Sequence, residues 1–275
     1  MGWYEPRTPR RDLSPVLACV WTARPSGRHR LVPDACMDLL CIWRRDGAER
    51  PPDIWLCGPE RTAWTFELPS GTVAVGVRFR PGCASLAFDV DASSMLDRRV
   101  RFDDVVGHDA TDRVRAAITG IDDLDERAST FEAALAPWLR SVDPDALGFV
   151  DSMTDLLVRS PRVLQSELAT VAGITPRHLH RRLLYTFGHG SAMLGRQLRF
   201  QRFLAVREQA TGTTAGSLAE LASAAGYADQ AHLSRDCRAL TGLTVRRFLD
   251  QWFPTFPDMS DPFKTSAPLV ATMGR

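Results

Sequence analysis

Two short stretches late in the chain concentrate side chains that can bind anions and hydrogen-bonding edges. Arg177, His178, His180, Arg181 and Arg182 fall within six residues; Gln230, His232, Ser234, Arg235 and Arg238 fall within nine. A guanidinium fork donates two parallel hydrogen bonds to a phosphate or a base edge, while amides and hydroxyls both donate and accept. The chemistry on offer is recognition of something anionic with acceptor edges. For one such helix, a solvated polar face would explain the same residues.

A second set with chemical capacity is Cys36, Cys41, Cys57 and Cys83, because thiolates ligate zinc and act as nucleophiles. Their gaps of four, fifteen and twenty-five residues lack the two close pairs of a structural zinc site, and Cys41 and Cys57 stand in apolar strand patterns. The alternative reading they support is a cysteine-based metal or chemical sensor, of the kind that joins DNA repair to regulation. Cys36, beside Asp34 and Asp38, is its best reactive candidate, although neighbouring acids raise a thiol pKa. There is no GxSxG turn, and His29 is the lone histidine among the strand-like segments. Neither an enzyme, a metal site nor a cofactor is expected.

Position matters more than composition. The 275 residues carry a net charge of +1, yet the segment from Pro161 to Trp252 holds 12 Arg against 6 acids, +6, which leaves −5 for the rest. Of 34 basic residues only Lys264 is lysine, so Arg abundance alone argues little. The amino terminus lacks a signal-type apolar core and no apolar run reaches the roughly 18 residues of a membrane span. A cytoplasmic protein with reduced cysteines is the expectation.

From Leu17 to Phe79 the chain reads as short strands, LACVW, MDLLCIW, DIWLC, TAWTFEL and VAVGVRF, between proline, glycine and charged clusters. Alternation places Trp64, Phe66 and Leu68 on one strand face, and Val73, Val75, Val77 and Phe79 on one face of a half-buried strand. A curled sheet or small barrel follows, with Trp43, Trp55, Trp64 and Phe66 lining its interior and at least three of these four read as closed core. Helices are expected over Thr111–Ile118 and Leu124–Leu139, the second with Asp122, Asp123 and Asp125 at its start. Pro144 marks a boundary, and the proline-rich end is read as a loose tail.

An internal duplication explains both polar stretches. ELATVAG at Glu167 recurs as ELASAAG at Glu220, and HLHRR at His178 recurs as HLSRD at His232. Each copy is a short apolar helix, a glycine turn and a second helix, with Thr175 and Asp229 as caps and Pro176 at the first helical position. In the first copy Leu179, Leu183 and Phe187 share one side; in the second Leu233, Cys237 and Leu240 do, opposite Ala231, Ser234, Arg235 and Arg238. A solvated face explains one helix, not a duplicated basic motif; the DNA major groove accepts such helices. His189 to Gln209 would join the copies as a helix of about 30 Å, near the ~34 Å of one DNA turn.

These residues resemble the AraC/XylS family of bacterial transcription regulators, over ELATVAGITPRHLHRRLLYTFG and LAELASAAGYADQAHLSRDCRALTGLTVRRFL. Two departures are Cys237, where the family usually has an aromatic residue, and Val245, where it usually has proline. The resemblance implies groove contacts by Arg177, His180, Arg181, Gln230, Ala231, Ser234 and Arg235, with Thr175, Arg182, Arg196, Arg199 and Arg238 as candidate phosphate contacts. VPDACMDLLCIW, GVRFRPGCA and DRRVRFDDVVG resemble the sensor half of a less studied branch, which implies a cupin-like fold. The whole is expected to be α+β: a β-rich sensor or dimerisation domain with trailing helices over 1–148, an all-α DNA-binding domain with two helix-turn-helix units over 149–253, and a tail over 254–275. Partners implied are duplex DNA, a small-molecule effector, RNA polymerase and a second copy of the chain. An activator is the first expectation, with activator versus repressor, effector and operator left open by the sequence.

Overall fold

The computed structural model describes residues 4–25, 27–43, 52–160, 163–210 and 217–255, so most of the expected tail lies outside the described residues. Strands β1 (Tyr4–Arg7), β2 (Leu17–Ala23), β4 (Asp38–Trp43), β5 (Asp53–Cys57), β7 (Val73–Phe79) and β8 (Arg99–Arg101) form an antiparallel sheet in the order β1-β2-β7-β4-β5-β8. Strands β3 (Gly27–Leu31) and β6 (Trp64–Leu68) pair antiparallel as a separate two-stranded sheet, from Gly27 opposite Leu68 to Leu31 opposite Trp64.

The large sheet is apolar on both faces. Leu39, Cys41, Ile54, Leu56, Val75, Val77 and Phe79 join the main core on one face, while Leu40, Ile42, Trp55, Ala74 and Arg78 line a cavity on the other. β7 is therefore buried on both sides, not half-buried as alternation alone implied, because it is paired between β2 and β4 and covered above and below. A bulge between Leu17 and Cys19 reverses the parity of β2, so Leu17 and Val20 both face the core while Trp21 turns to the cavity. Trp21 crosses over Gly76, where a Cβ would lie 2.3 Å from the indole; only glycine fits there.

Helices follow: α1 (Cys83–Phe88), α2 (Asp103–Val106), α3 (His108–Ile118), α4 (Leu124–Arg140) and α5 (Pro144–Arg159), with a 3-10 turn at Ala92–Met95. Asp123 caps α4 by accepting from Glu126 N at 2.8 Å, and Asp143 caps α5 from Asp145 N at 3.0 Å, with Pro144 at the first turn. A boundary at 148/149 thus falls inside α5. Then come α6 (Gln165–Val171), α7 (Pro176–Phe187), α8 (Ser191–Gln209), α9 (Leu218–Ala224), α10 (Gln230–Thr241) and α11 (Val245–Thr255).

The hydrophobic cores do not divide where the motifs do. Leu168, Ala169, Leu179, Leu183, Phe187, Leu194 and Leu198 belong to the same continuous core as the sheet. Phe200, Phe203 and Leu204 of α8 instead start a second core with Leu221, Tyr227, Leu233, Cys237, Leu240 and Phe248.

Candidate nucleic-acid interface

Two helix-turn-helix units, α6–α7 and α9–α10, are joined by α8, whose 19 residues span about 28 Å at ~1.5 Å per residue. Each second helix starts on a cap accepting from the third backbone N–H: Thr175 Oγ1 from His178 N at 3.3 Å, and Asp229 Oδ1 from His232 N at 2.6 Å. Each ends on a left-handed glycine, Gly188 and Gly242, whose N–H returns to Leu184 O and Arg238 O at 2.9 Å. The first helices carry matched N-terminal devices too, since Glu167 and Glu220 reach back to the N–H groups of Leu164 and Ser217.

Leu179, Leu183 and Phe187 anchor α7, and Leu233, Cys237 and Leu240 anchor α10. Cys237 fits its place because Phe200, Phe203, Tyr227 and Phe248 share its core, and its Sγ lies 3.6 Å from Thr241 Oγ1. Opposite these anchors Arg177, His178, His180 and Arg181 are exposed on α7, while Gln230, Ala231, Arg235 and Arg238 are exposed and Ser234 half-buried on α10. The Ser234 hydroxyl donates to Gln230 O at 2.8 Å. Seven groove-facing candidates thus lie along the outer sides and N-terminal turns of α7 and α10.

The phosphate candidates divide. Thr175 and Arg238 face solvent. Arg182 is half-buried and stacks 3.7 Å over the Phe149 ring. Arg196 and Arg199 each donate to Asp236 at 3.0 Å, and Arg199 is 8% exposed, so its guanidinium has no path to a phosphate in this arrangement. This corrects the expectation for Arg199: the polar periodicity of α8 marks an internal contact. Asp236 itself, buried on the inward side of α10 with His232 Nε2 at 3.7 Å, was missed by sequence reasoning. Its signal was present in the repeat, where HLSRD carries an acid at the position of Arg182 in HLHRR.

The cavity on the other face of the sheet has a volume of about 390 Å³. Trp55, Trp64 and Phe66 are part of its wall, contrary to their reading as closed core, whereas Trp43 packs on the main core with the Arg127 guanidinium 4.4 Å over its ring. At its floor Arg78 bonds Asp38 at 3.2 Å and Asp34 at 3.3 Å, and Trp21 Nε1 donates to Asp38 at 3.1 Å. Cys36 and Cys57 also line it, but burial pushes both thiols up, Cys57 to about 12. Burial raises Cys36 more than Asp34 does, and Cys83 likewise stands near 12, so none is poised as a thiolate. Among the described residues no three His, Cys, Asp or Glu are grouped to hold a metal ion, and no helix is long and apolar enough to cross a membrane.

Residues 168–251 match a family model described as a helix-turn-helix domain, and this span runs from within α6 through α7, α8, α9 and α10 to most of α11. This part of the chain is an AraC-type helix-turn-helix domain. Within that domain α7 and α10 are the second helices of the two units. Residues 6–101 match a domain of unknown function (DUF6597), which covers the strands around the cavity. No curated protein matches the chain. Crystal structures of ToxT from Vibrio cholerae are similar at low identity: that of strain O395 at 11%, over 90% of this chain and 97% of that one, with a TM-score of 0.44. The unsaturated fatty acid bound ToxT of strain SCE256 aligns at 10%, over 85% and 94%, with a TM-score of 0.43. Likeness of that order carries no argument about this chain.

Proposed function

We propose that the chain is a sequence-specific transcription regulator that reads two successive major grooves and takes a small-molecule effector in its β-rich half. One observation carries the reading: two capped recognition helices, anchored alike by buried apolar residues, expose Arg177, His180 and Arg181 on one and Gln230, Ala231 and Arg235 on the other. Arg pairs with guanine acceptors and Gln with adenine, and a linker of ~28 Å suits heads one DNA turn apart.

Support for an effector comes from the cavity, whose volume lies within the ~300–1,000 Å³ of small-molecule sites and whose Trp and Phe walls meet a buried Arg78, Asp34 and Asp38 cluster. A compact, mostly apolar ligand with one or two polar groups fits that lining. RNA polymerase and a second copy of the chain belong to the same reading. The experiment is selection of duplexes from a random library by the purified full chain, with gel shifts over a salt series. Enrichment of one motif with two boxes about ten base pairs apart, and affinity falling as salt rises, is the expected result. Binding no better than that of random duplex refutes it.

A further inference from the structure

The two reading heads are attached to the β-rich half by different physics. The first is welded on: its anchors share the main core, Ser85 Oγ donates to Thr186 O at 2.9 Å, and Tyr185 Oη donates to Asp89 at 2.7 Å. Even a Cβ at Gly188 would lie 2.7 Å from Pro59 and 2.9 Å from the Ala92 carbonyl oxygen, so the junction has no slack. The second head has its own core, and among the described residues Val32 is the half-buried apolar residue of the β-rich half that packs on it.

What holds the second head is a set of hydrogen bonds on exchangeable partners. Ala63 N donates to Leu240 O at 2.6 Å and the Arg30 guanidinium donates to Thr241 O, so two terminal carbonyls of α10 are satisfied by the β3–β6 region. A cation at a helix C-terminus also complements the helix dipole. Gln201 Nε2 donates to Pro33 O at 2.8 Å and Gln197 Nε2 to Glu60 O at 2.7 Å, which ties α8 to the same rim. Arg30, Val32, Glu60, Trp64 and Gln201 also line the cavity. Arg30 is therefore both wall of the cavity and hydrogen-bond partner of α10, and Gln201 ties that wall to α8.

We propose that β3, β6 and the loop before β6 form a latch on the second reading head, through which a cavity ligand acts on α10 and leaves α7 unmoved. This rests on the effector reading above. It makes regulation a change in how the second box is read while the first stays engaged. A molecule seated between Trp64 and Gln201 meets Arg30 and alters its bond to Thr241, whereas α7 is held by the shared core, α1 and the 3-10 turn, and meets the loop before β6 only at its Gly188 cap, against Pro59, among the described contacts.

Amide hydrogen exchange on the full chain tests this without an identified ligand. Arg30→Ala should speed exchange across 233–250 at least tenfold and leave 179–187 at the wild-type rate, and Arg30→Lys, which keeps a cationic donor, should restore most of the protection. Ala74→Phe fills the cavity from β7 and should alter exchange in 233–250 only; Ile42→Trp, on the paired strand, replaces it if that variant does not fold. Unchanged exchange in 233–250 on Arg30→Ala, or an equal rise in 179–187, overturns the latch. Failure of wild type to select any duplex refutes the DNA reading, while the exchange data still decide the latch.

Discussion

Arg181 and Arg235 occupy matching places in the two units, both exposed and neither with an intramolecular ion pair among the described contacts. Replacing either with Ala should cost about 1–3 kcal/mol on a selected duplex, relax discrimination at one box and leave the melting temperature almost unchanged. Uniform weakening on all sequences with a shallower salt slope would instead make that residue a phosphate contact. His189 and Glu60 meet at the junction of the halves, through Gln197, whose Nε2 lies 3.2 Å from His189 Nε2 and bonds Glu60 O. Burial pushes His189 down from 6.5 to about 4, so its contribution to stability is present above pH 6.5 and lost as pH falls through 4. Burial raises Glu60 from 4.5 to about 7 against the pull of Arg99, so its contribution is present below pH 4.5 and lost as pH rises through 7. An NMR titration of His189 should give a midpoint near 4, and Glu60→Gln should flatten the decline in stability between pH 4.5 and 7.

The asymmetry of the repeat is settled by single positions within helices. Asp236 replaces the basic residue of the first copy and turns inward, which converts Arg196 and Arg199 of α8 from a solvated stripe into an ionic joint with α10. Removing one partner of a buried pair leaves the others uncompensated. Asp236→Ala should therefore destabilise by about 3–5 kcal/mol, measured by denaturant unfolding. Combining it with Arg196→Ala and Arg199→Ala should recover part of that loss. No recovery in the triple variant would show that the joint is not the source of the cost. In the first copy Arg182 stacks on Phe149 instead, an attachment that needs no buried acid.

At the scale of the molecule the first unit shares the core of the β-rich half, so a fragment holding both units cannot be cut without exposing apolar surface. A fragment from Asp143, which keeps the cap of α5, should bind the selected duplex but melt well below the full chain, because Leu179, Leu183 and Phe187 lose part of their packing. A fragment as stable as the full chain would show that the shared core contributes little. Light scattering on the full chain should report a dimer if the β-rich half or its helices pair two copies; paired subunits would double groove contacts through effective concentration.

The duplicated units, their caps and their buried anchors were legible in the chain, because helix periodicity and capping depend on neighbours three or four residues away. Strands β5 and β7 were legible with the same bounds, since alternation and flanking turn residues are also local. β1, β3 and β8 were not, being short and polar or defined mainly by partners distant in sequence. Whether Trp55, Trp64 and Phe66 close a core or line a cavity is decided by how far the β3–β6 pair stands from the large sheet, which no local pattern encodes. The same holds for Arg199: its type and spacing suit a phosphate contact, and only the packing of α8 against α10 brings Asp236 within 3.0 Å and turns it inward. Local chemistry determined what each helix could do, and long-range packing decided which of its charges remain free to do it.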